Sequence, residues 1–342
     1  MPPKTAPLTL SNVPHNLAER IENLRQKYLQ SDDVIYLGDP HAFERLAWFS
    51  NGGESYPVLK CAPSEGENST NSPDEHSPAI PKHVCFALIA RISRDGTFVV
   101  PDGFFKEPSE YTEKLADVKL TIALERIPKR ENISLAQDFD VAYNTISKLR
   151  QSKVRKNSKA VIGVLGLGAA DSEPKLKLRH RVFNPIIEPT LTEEPSDPTD
   201  LPEPSTGSSP PQSSELVLAG YPVRSQRAKD ELAEMVASKS HELVPLPAYE
   251  QLDILRESHQ LIPSLYTSHL EGSLAVVHFF LFHNHISREH KDVFTADVYS
   301  ILVIDPPKAR ISNSPRKLLG KRKLDKYPFA EPSGKGKGKQ RA

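Results

Sequence analysis

The sequence has few of the features that identify common classes of protein. Its two cysteines, Cys61 and Cys85, are too few for a disulfide scaffold or a four-cysteine zinc site. No run of apolar residues approaches the roughly 18 that a membrane-spanning helix needs, and residues 1–4 do not begin a secretory signal. We therefore expect a soluble intracellular protein with no membrane partner, in which both thiols stay reduced.

Catalytic signatures are also missing: there is no nucleophile elbow, no phosphate-binding loop with lysine and no metalloprotease helix. An apolar run over 160–165 leads into Gly166 and Gly168, as in dinucleotide-binding folds. However, Asp171 stands where that fingerprint needs its third small residue, and its carboxylate would repel a phosphate. We interpret the segment as a glycine-rich turn between strands, and we predict no catalytic residue and no cofactor.

His283 and His285 raise the question of a metal site. They lie two residues apart, so they share one face of a strand and could bind a divalent metal together with Asp292 or Glu289. The sequence has no second two-ligand cluster, and the surrounding strand is apolar. We therefore predict ordinary strand-end histidines and no metal. An enzyme that uses a small ligand or a metal is the least favoured of three interpretations of function, and the other two are given at the end of this section.

Proline is abundant and apolar residues are scarce. Proline supplies 31 of the 342 residues, and 37% are apolar against the ~45–50%, glycine included, of ordinary domains. Residues 62–82 contain no Val, Leu or aromatic side chain, and residues 184–218 combine many Pro, Ser and acidic residues with no Lys or Arg. Because such segments cannot offset their ordering entropy by burial, we predict a disordered loop and a disordered acidic linker.

Helix and strand patterns occupy the remaining segments. Helical spacing of apolar residues predicts helices that begin near Leu17 and over 225–240, and Asp39 before Pro40 predicts another helix over about 41–50. Apolar runs and alternating patterns predict strands at 84–92, 97–100, 118–124, 175–182, 244–249, 274–282 and 294–304.

These elements predict an α+β protein with two small β-rich domains, short N-terminal helices and the disordered acidic linker between the domains. The predicted parts are a disordered N-terminus at 1–10, an N-terminal α+β domain at 11–183 that contains the loop 62–82, the linker at 184–218, a C-terminal β-rich domain at 219–307 and a disordered basic tail at 308–342.

Residues 108–146 align without a gap with residues 263–301 at seven identical positions, including Phe139 with Phe294 and Ile146 with Ile301. One interpretation is an internal duplication. The other is that two unrelated sheets each have a proline and a tyrosine in the segment that leads into a strand.

A net charge of zero conceals an uneven distribution of charge. Residues 308–342 hold twelve Lys or Arg and two acids, a net charge of +10, so the other 307 residues carry −10. An acidic body with a basic tail favours nucleic acid or another polyanion as the partner of the tail.

The tail contains three kinds of candidate site. A cluster typical of nuclear-import signals, which would bind an importin-type receptor, comprises Arg316, Lys317, Lys321, Arg322, Lys323 and Lys326. The second kind is a set of cations separated by glycine or glutamine, which suits phosphate contacts that do not read the bases. Its members are Lys335, Lys337, Lys339 and Arg341. Ser314 precedes proline and is a phosphorylation candidate. A tail that only keeps the body soluble is the alternative.

Two further groups of cations precede the tail. Lys175, Lys177, Arg179 and Arg181 alternate with apolar residues, which places four positive charges on one face of a strand. Residues 148–159 hold six Lys or Arg and no acid. They would suit a phosphate surface or a second import signal, and a solvated connection between a helix and a strand is our preferred interpretation.

A resemblance covers residues 243–307 and the tail. The residues that carry it include Pro263, Tyr266, Gly272 and His283, together with the Lys-Gly repeats that end the tail. In this order they resemble a lineage-restricted group of chains from mushroom-forming fungi that have no assigned function. The resemblance implies a fungal protein, and it transfers no functional residue.

Taken together, these patterns predict a non-enzymatic nuclear interaction protein that associates with chromatin or nucleic acid through its basic tail. The alternative is a protein–protein scaffold, nuclear or cytoplasmic, whose tail serves only for import or solubility.

Overall fold

The computed structural model describes residues 17–60, 81–109, 112–166, 173–186, 220–252 and 257–308. These residues form a mixed α/β structure with a large β-sheet and a few short helices. Cys61, the predicted N-terminal segment 1–10, most of the loop 62–82, most of the linker 184–218 and the tail after Lys308 lie outside the described residues.

The described elements are four helices, fourteen strands and three short 3-10 turns. The helices are α1 (Leu17–Leu29), α2 (Ile133–Lys153), α3 (Gln226–Ser238) and α4 (Tyr266–Leu270). The strands are β1 (Val34–Tyr36), β2 (Leu46–Asn51), β3 (Glu54–Leu59), β4 (Cys85–Ile92), β5 (Lys119–Glu125), β6 (Ala160–Gly163), β7 (Leu165–Gly166), β8 (Lys175–Arg181), β9 (Phe183–Pro185), β10 (His241–Leu243), β11 (Ala248–Leu252), β12 (Glu257–Gln260), β13 (Leu274–Ile286) and β14 (Lys291–Asp305). Within the described ranges, no helix is long and apolar enough to cross a membrane.

Five of the strands close into a barrel. β4 pairs with β5, β5 with β8, β4 with β13 and β13 with β14, each time antiparallel. β8 and β14 pair in parallel and complete the ring. Closure leaves none of these five strands as a free edge of the ring, which removes the unpaired backbone groups that an open sheet would expose.

The barrel encloses an apolar core. Its alternating inward positions supply large side chains that are fully buried, among them Phe86, Leu88, Ile122, Phe279 and Phe294. Burial of each such side chain contributes roughly 1.5–3 kcal/mol, so this interior is the main source of stability. Apolar residues of α2 and α3 belong to the same core, and both helices therefore pack against the barrel.

Several elements confirm the sequence predictions. The strands predicted at 84–92, 118–124, 175–182, 274–282 and 294–304 are present as β4, β5, β8, β13 and β14. Ser225 caps α3, since its hydroxyl accepts a hydrogen bond from the backbone N–H of Ala228 at 3.0 Å. α1 is also where the apolar spacing predicted it.

The layout with two separate domains is not confirmed. β4, β5 and β8 precede the predicted linker and β13 and β14 follow it, yet all five belong to one barrel. The described residues up to Pro307 belong to one compact unit. The strands before the linker need β13 and β14 to close the barrel, so the linker connects two parts of one sheet.

The helix predicted over 41–50 is wrong. A 3-10 turn at Ala42–Arg45 leads directly into β2, which pairs antiparallel with β3. Gly52 and Gly53 have φ of +58° and +98°, values that glycine adopts easily, and they form the tight turn between the two strands. The apolar spacing suits either structure, and pairing with β3 decides for the strand.

The internal duplication is contradicted. Phe139 and Ile146 lie in α2, whereas their aligned partners Phe294 and Ile301 lie in β14. Equivalent copies of one unit would share secondary structure. The matched residues therefore reflect similar local composition rather than repeated architecture.

Candidate functional site

The outer surface of β5 and β8 carries a cluster of cations. Along β8 the apolar positions are buried, and the four cations predicted to share one face do face outward. The antiparallel register places Lys119 of β5 opposite Arg181 and Thr121 opposite Arg179. We define the basic face as the five outward cations Lys119, Lys175, Lys177, Arg179 and Arg181.

Within the described part of the chain, two of these five cations form ion pairs with acidic residues. The Arg179 guanidinium bonds both carboxylate oxygens of Asp297 at 2.5 and 3.3 Å, and Lys175 Nζ lies 2.8 Å from Asp95 Oδ2. Lys119, Lys177 and Arg181 make no ion pair with any described residue. Three exposed cations of the basic face therefore lack an ion-pair partner among the described residues, although Lys119 interacts electrostatically with Asp117 and Asp297, and Lys177 with Asp95.

The pKa of Lys119 reports this crowding of positive charge. Partial burial lowers it most, the neighbouring guanidinium groups of Arg179 and Arg181 lower it further, and the carboxylates of Asp297 and Asp117 offset only part of this. A cation whose charged form is disfavoured by its neighbours gains from an approaching anion. The basic face is therefore suited to a polyanionic ligand.

Exposed aromatic rings lie on both sides of the basic face. Phe98 pairs with Thr121 through two backbone hydrogen bonds of 2.7 and 3.0 Å, and its side chain is 56% exposed. Tyr299 follows Asp297 by two positions on β14 and is 59% exposed. Exposed rings beside cations are the combination with which proteins bind unpaired bases and phosphates.

One transverse row connects these groups. Successive pairings align Phe98, Thr121, Arg179, Asp297 and Phe280 across five neighbouring segments of the sheet. Residues directly opposite each other share a face, so the row lies on the outside of the barrel. At about 4.8 Å per strand the row extends about 19 Å, with an aromatic ring at each end.

Asp292 holds His283 and His285 together. His283 Nε2 and His285 Nδ1 lie 2.8 and 3.1 Å from Asp292 Oδ1, and the Arg155 backbone N–H donates to Oδ2 at 3.1 Å. Burial acts to raise the pKa of Asp292, but these hydrogen bonds outweigh it and hold the pKa at about 2. Over the described ranges, no group of three or more His, Cys, Asp or Glu has the arrangement of a metal site.

The basic stretch 148–159 comprises the last residues of α2, which ends at Lys153, and the connection from there to β6. Its cations pack on aromatic rings: Lys148 Nζ lies 5.7 Å from the Phe43 ring centroid, and Lys153 Nζ lies 5.9 Å from that of Trp48. Such contacts favour a role in packing, because the alkyl stems cover apolar surface while the charges stay near water.

The glycine-rich segment at 160–168 is a strand connection as far as it is described. Gly163 has a φ of +121°, and a Cβ there would lie 1.7 Å from the carbonyl oxygen of Phe294. Glycine is thus required for close backbone packing of β6 against β14. Gly168 and Asp171 lie outside the described residues.

The candidate residues of the tail also lie outside the described residues. These are Ser314, the six residues of the import cluster from Arg316 to Lys326, and the four cations from Lys335 to Arg341. Their proposed roles stay predictions.

The sequence analysis identified the charges of β8 but missed the site. The alternation of Lys119 and Thr121 with apolar residues places them on the polar face of β5, which is a usable signal. No local pattern shows that β5 and β8 are neighbours or that Phe98 and Tyr299 flank them. That information depends on pairing between distant segments.

The pairing order of the barrel is informative. Around the ring the strands follow the order β4, β5, β8, β14, β13. If the five are numbered by their position along the chain, this order is one, two, three, five, four, and the third strand (β8) is parallel to the fifth (β14). This is the arrangement of the OB-type barrel, in which the surface of the second and third strands commonly binds ligands. Those strands are β5 and β8, which carry the basic face.

Comparisons with known proteins add little. No family model and no curated protein matches the chain. Among solved structures it is similar to gp2.5, a single-stranded DNA binding protein encoded by bacteriophage T7, with 8% identity and a TM-score of 0.30. The match covers 67% of this chain and 96% of that one. Similarity at this level carries no information about function.

Proposed function

We propose that this is a non-enzymatic nucleic-acid-binding protein and that its basic face binds the backbone of a single strand. One observation carries the proposal: three cations that form no ion pair within the described part of the chain, Lys119, Lys177 and Arg181, lie between the exposed rings of Phe98 and Tyr299. The pairing order of the barrel supports it by analogy of fold alone.

The cations account for affinity. Each phosphate that a lysine or arginine neutralises releases condensed counterions, which favours binding at low salt. Lys177 and Arg181 lie on the same face of one strand, four residues apart, so their Cα atoms are separated by about 13 Å. A flexible strand of nucleic acid can place successive phosphates on both.

The aromatic rings account for the preference for a single strand. Stacking on a ring requires a base whose face is free, and a duplex hides both faces of its bases. An exposed ring contributes nothing to contact with duplex phosphates. We therefore propose single-stranded DNA or RNA as the ligand, with little readout of sequence.

We propose a second, electrostatic contact and a nuclear location for the tail. Lys335, Lys337, Lys339 and Arg341 would bind phosphates, and the cluster from Arg316 to Lys326 would bind an importin-type receptor. Phosphate on Ser314 would add up to about two negative charges beside this cluster and weaken both contacts. A protein–protein scaffold is the function that would remain if no nucleic acid binds.

The test is charge reversal on the basic face in the full chain. Lys177→Glu with Arg181→Glu should weaken binding of a fluorescein-labelled dT15 oligonucleotide by at least tenfold in fluorescence anisotropy. The slope of log affinity against log salt should fall by about 1.4, since each lost phosphate contact on a single strand removes about 0.7.

The matched control is Lys27→Glu with Lys129→Glu, which changes net charge equally at two exposed positions outside the basic face. This control should retain most of the affinity. Equal loss in both double variants would show that net charge alone matters and would contradict a site at β5 and β8. Absence of wild-type binding at low salt would overturn the proposal as a whole.

A further inference from the structure

The loop between β4 and β5 presents a third exposed ring, Phe104. Its side chain is 52% exposed, and its backbone φ of +61° is in the left-handed region. A non-glycine residue rarely adopts this conformation, and an aromatic residue there is strained. The preceding residue, Gly103, has a φ of +54°, so the chain turns sharply at this point.

A buried carboxylate fixes this turn. Asp102 is fully buried, and its Oδ1 accepts a hydrogen bond from the backbone N–H of Phe104 at 3.1 Å. The same carboxylate accepts bonds from the backbone N–H and the guanidinium of Arg224, both at 2.9 Å. Asp102 therefore holds both the Phe104 backbone and the Arg224 side chain in place.

Arg224 in turn supports the Phe104 ring. Its guanidinium carbon lies 4.6 Å from the ring centroid, a stacking distance for an arginine on an aromatic ring. One face of the ring thus rests on a fixed cation while more than half of the side chain stays in water. The ring is preorganised, so little rotamer entropy is lost when a second flat group stacks on it.

The loop lies at the Lys119 end of the basic face. Gly103 packs so closely on Val118 that a Cβ at this glycine would lie 2.7 Å from Val118 Cγ1. Val118 directly precedes Lys119. The same loop runs from Phe98, which pairs with Thr121, so Phe98 and Phe104 both border β5.

Apolar packing does not explain why a phenylalanine occupies this position. The ring is largely exposed and its backbone is strained, whereas glycine would adopt the same turn without strain. Asp102 would still hold Arg224 if the ring were absent, since its contact to residue 104 is to the backbone. The exposed face of the ring is therefore free to stack on a ligand.

We propose that Phe104 is a base-stacking residue, with Arg224 on one face of its ring and an unpaired nucleobase on the other. This inference rests on the proposed function and defines it further, because the ligand must offer an unstacked base at the Lys119 end of the basic face.

The experiment compares two probes on the full chain at one salt concentration. One probe is fluorescein-labelled dT15, and the other is an abasic phosphodiester of equal length and charge. Phe104→Gly should weaken dT15 binding roughly 5- to 150-fold, the range that loss of one stacked base produces. Its affinity for the abasic probe and its salt slope should be unchanged, because no charge is altered.

Two further variants separate stacking from folding. Phe104→Trp should keep the preference for dT15 over the abasic probe that Phe104→Gly loses. Ile133→Ala truncates a side chain that is 60% exposed at the start of α2, and it should change the affinity for neither probe. Phe104→Gly should also retain its thermal midpoint, because glycine tolerates the left-handed backbone.

Every outcome other than these contradicts the inference in an identifiable way. Equal loss of affinity for both probes would mean that Phe104 acts through the loop and not through a base. Unchanged dT15 binding by Phe104→Gly, with loss in the Lys177 and Arg181 double variant, would overturn stacking and leave the proposed function intact. If the wild type bound neither probe, the proposed function itself would fail.

Discussion

Arg179 and Asp297 lie directly opposite each other where the only parallel pair among the five barrel strands, β8 and β14, closes the ring. The Asp297 carboxylate bonds the guanidinium with both oxygens, so one cation of the basic face is already neutralised by the protein. A nucleic-acid phosphate must compete with this carboxylate for Arg179. The pair therefore limits the affinity of the face.

Asp297→Asn should accordingly strengthen binding of dT15. The substitution frees Arg179 for a phosphate and removes a negative charge from the face, so we expect a gain of at least threefold. The salt slope should steepen by about 0.7 for the added phosphate contact. Both partners are partly exposed, and such pairs contribute about 0–1 kcal/mol, so the variant should stay folded.

Asp140→Asn is the matched control for this prediction. Asp140 has the same side-chain exposure of 42% and pairs with an arginine, Arg126, away from the basic face. Its loss should leave dT15 binding nearly unchanged. Equal gains in the two variants would show a general effect of net charge and would argue against a specific role of Arg179.

Gly163→Ala should destabilise the protein by roughly 2–5 kcal/mol, because it adds both a steric overlap and a strained backbone. The new Cβ would lie 1.7 Å from the Phe294 carbonyl oxygen, so β6 must separate from β14. Gly52→Ala tests strain alone, since its φ is +58° and no atom lies within 4 Å of a Cβ there. That variant should lose about 1 kcal/mol in urea unfolding. Equal losses would contradict the close packing at Gly163.

Stability should fall as pH is lowered from 7.5 to 5.5. Burial lowers the pKa of His180, His278 and His283 in the folded chain, whereas in the unfolded chain these histidines protonate near pH 6.5. The unfolded state therefore binds more protons below about pH 6.5, and the free energy of unfolding decreases there. His278→Gln keeps a donor for Ser300 and should reduce this pH dependence in urea titrations. A pH dependence unaffected by this variant would contradict the lowered pKa of His278.

The nuclear-import prediction concerns the tail. Neutralising Arg316, Lys317 and residues 321–323 should leave a bulky fluorescent fusion of the full chain in the cytoplasm, because the receptor contact depends on clustered charge. Unchanged nuclear accumulation would contradict this signal and would direct attention to the basic stretch 148–159.

Some of what the sequence analysis missed was present as a local signal. In α2 the apolar residues Leu135, Phe139, Ala142, Ile146 and Leu149 recur at spacings of four and three, and all are buried. This helix could have been predicted. The segment at 41–50 is different, since its apolar spacing fits a helix as well as the hairpin strand β2, and pairing with β3 selects the strand.

Local sequence patterns are sufficient to locate the barrel strands and to show which of their side chains share a face. Alternation along a strand follows from local backbone geometry, so Lys175, Lys177, Arg179 and Arg181 had to point the same way once the strand formed. The Ser225 cap and the charge of the tail are equally local. The position of β8 between β5 and β14, and the use of strands from both sides of the linker in one barrel, follow from long-range pairing. Those pairings join residues fifty or more positions apart. They are selected by closing the barrel around a shared core, which no local pattern encodes.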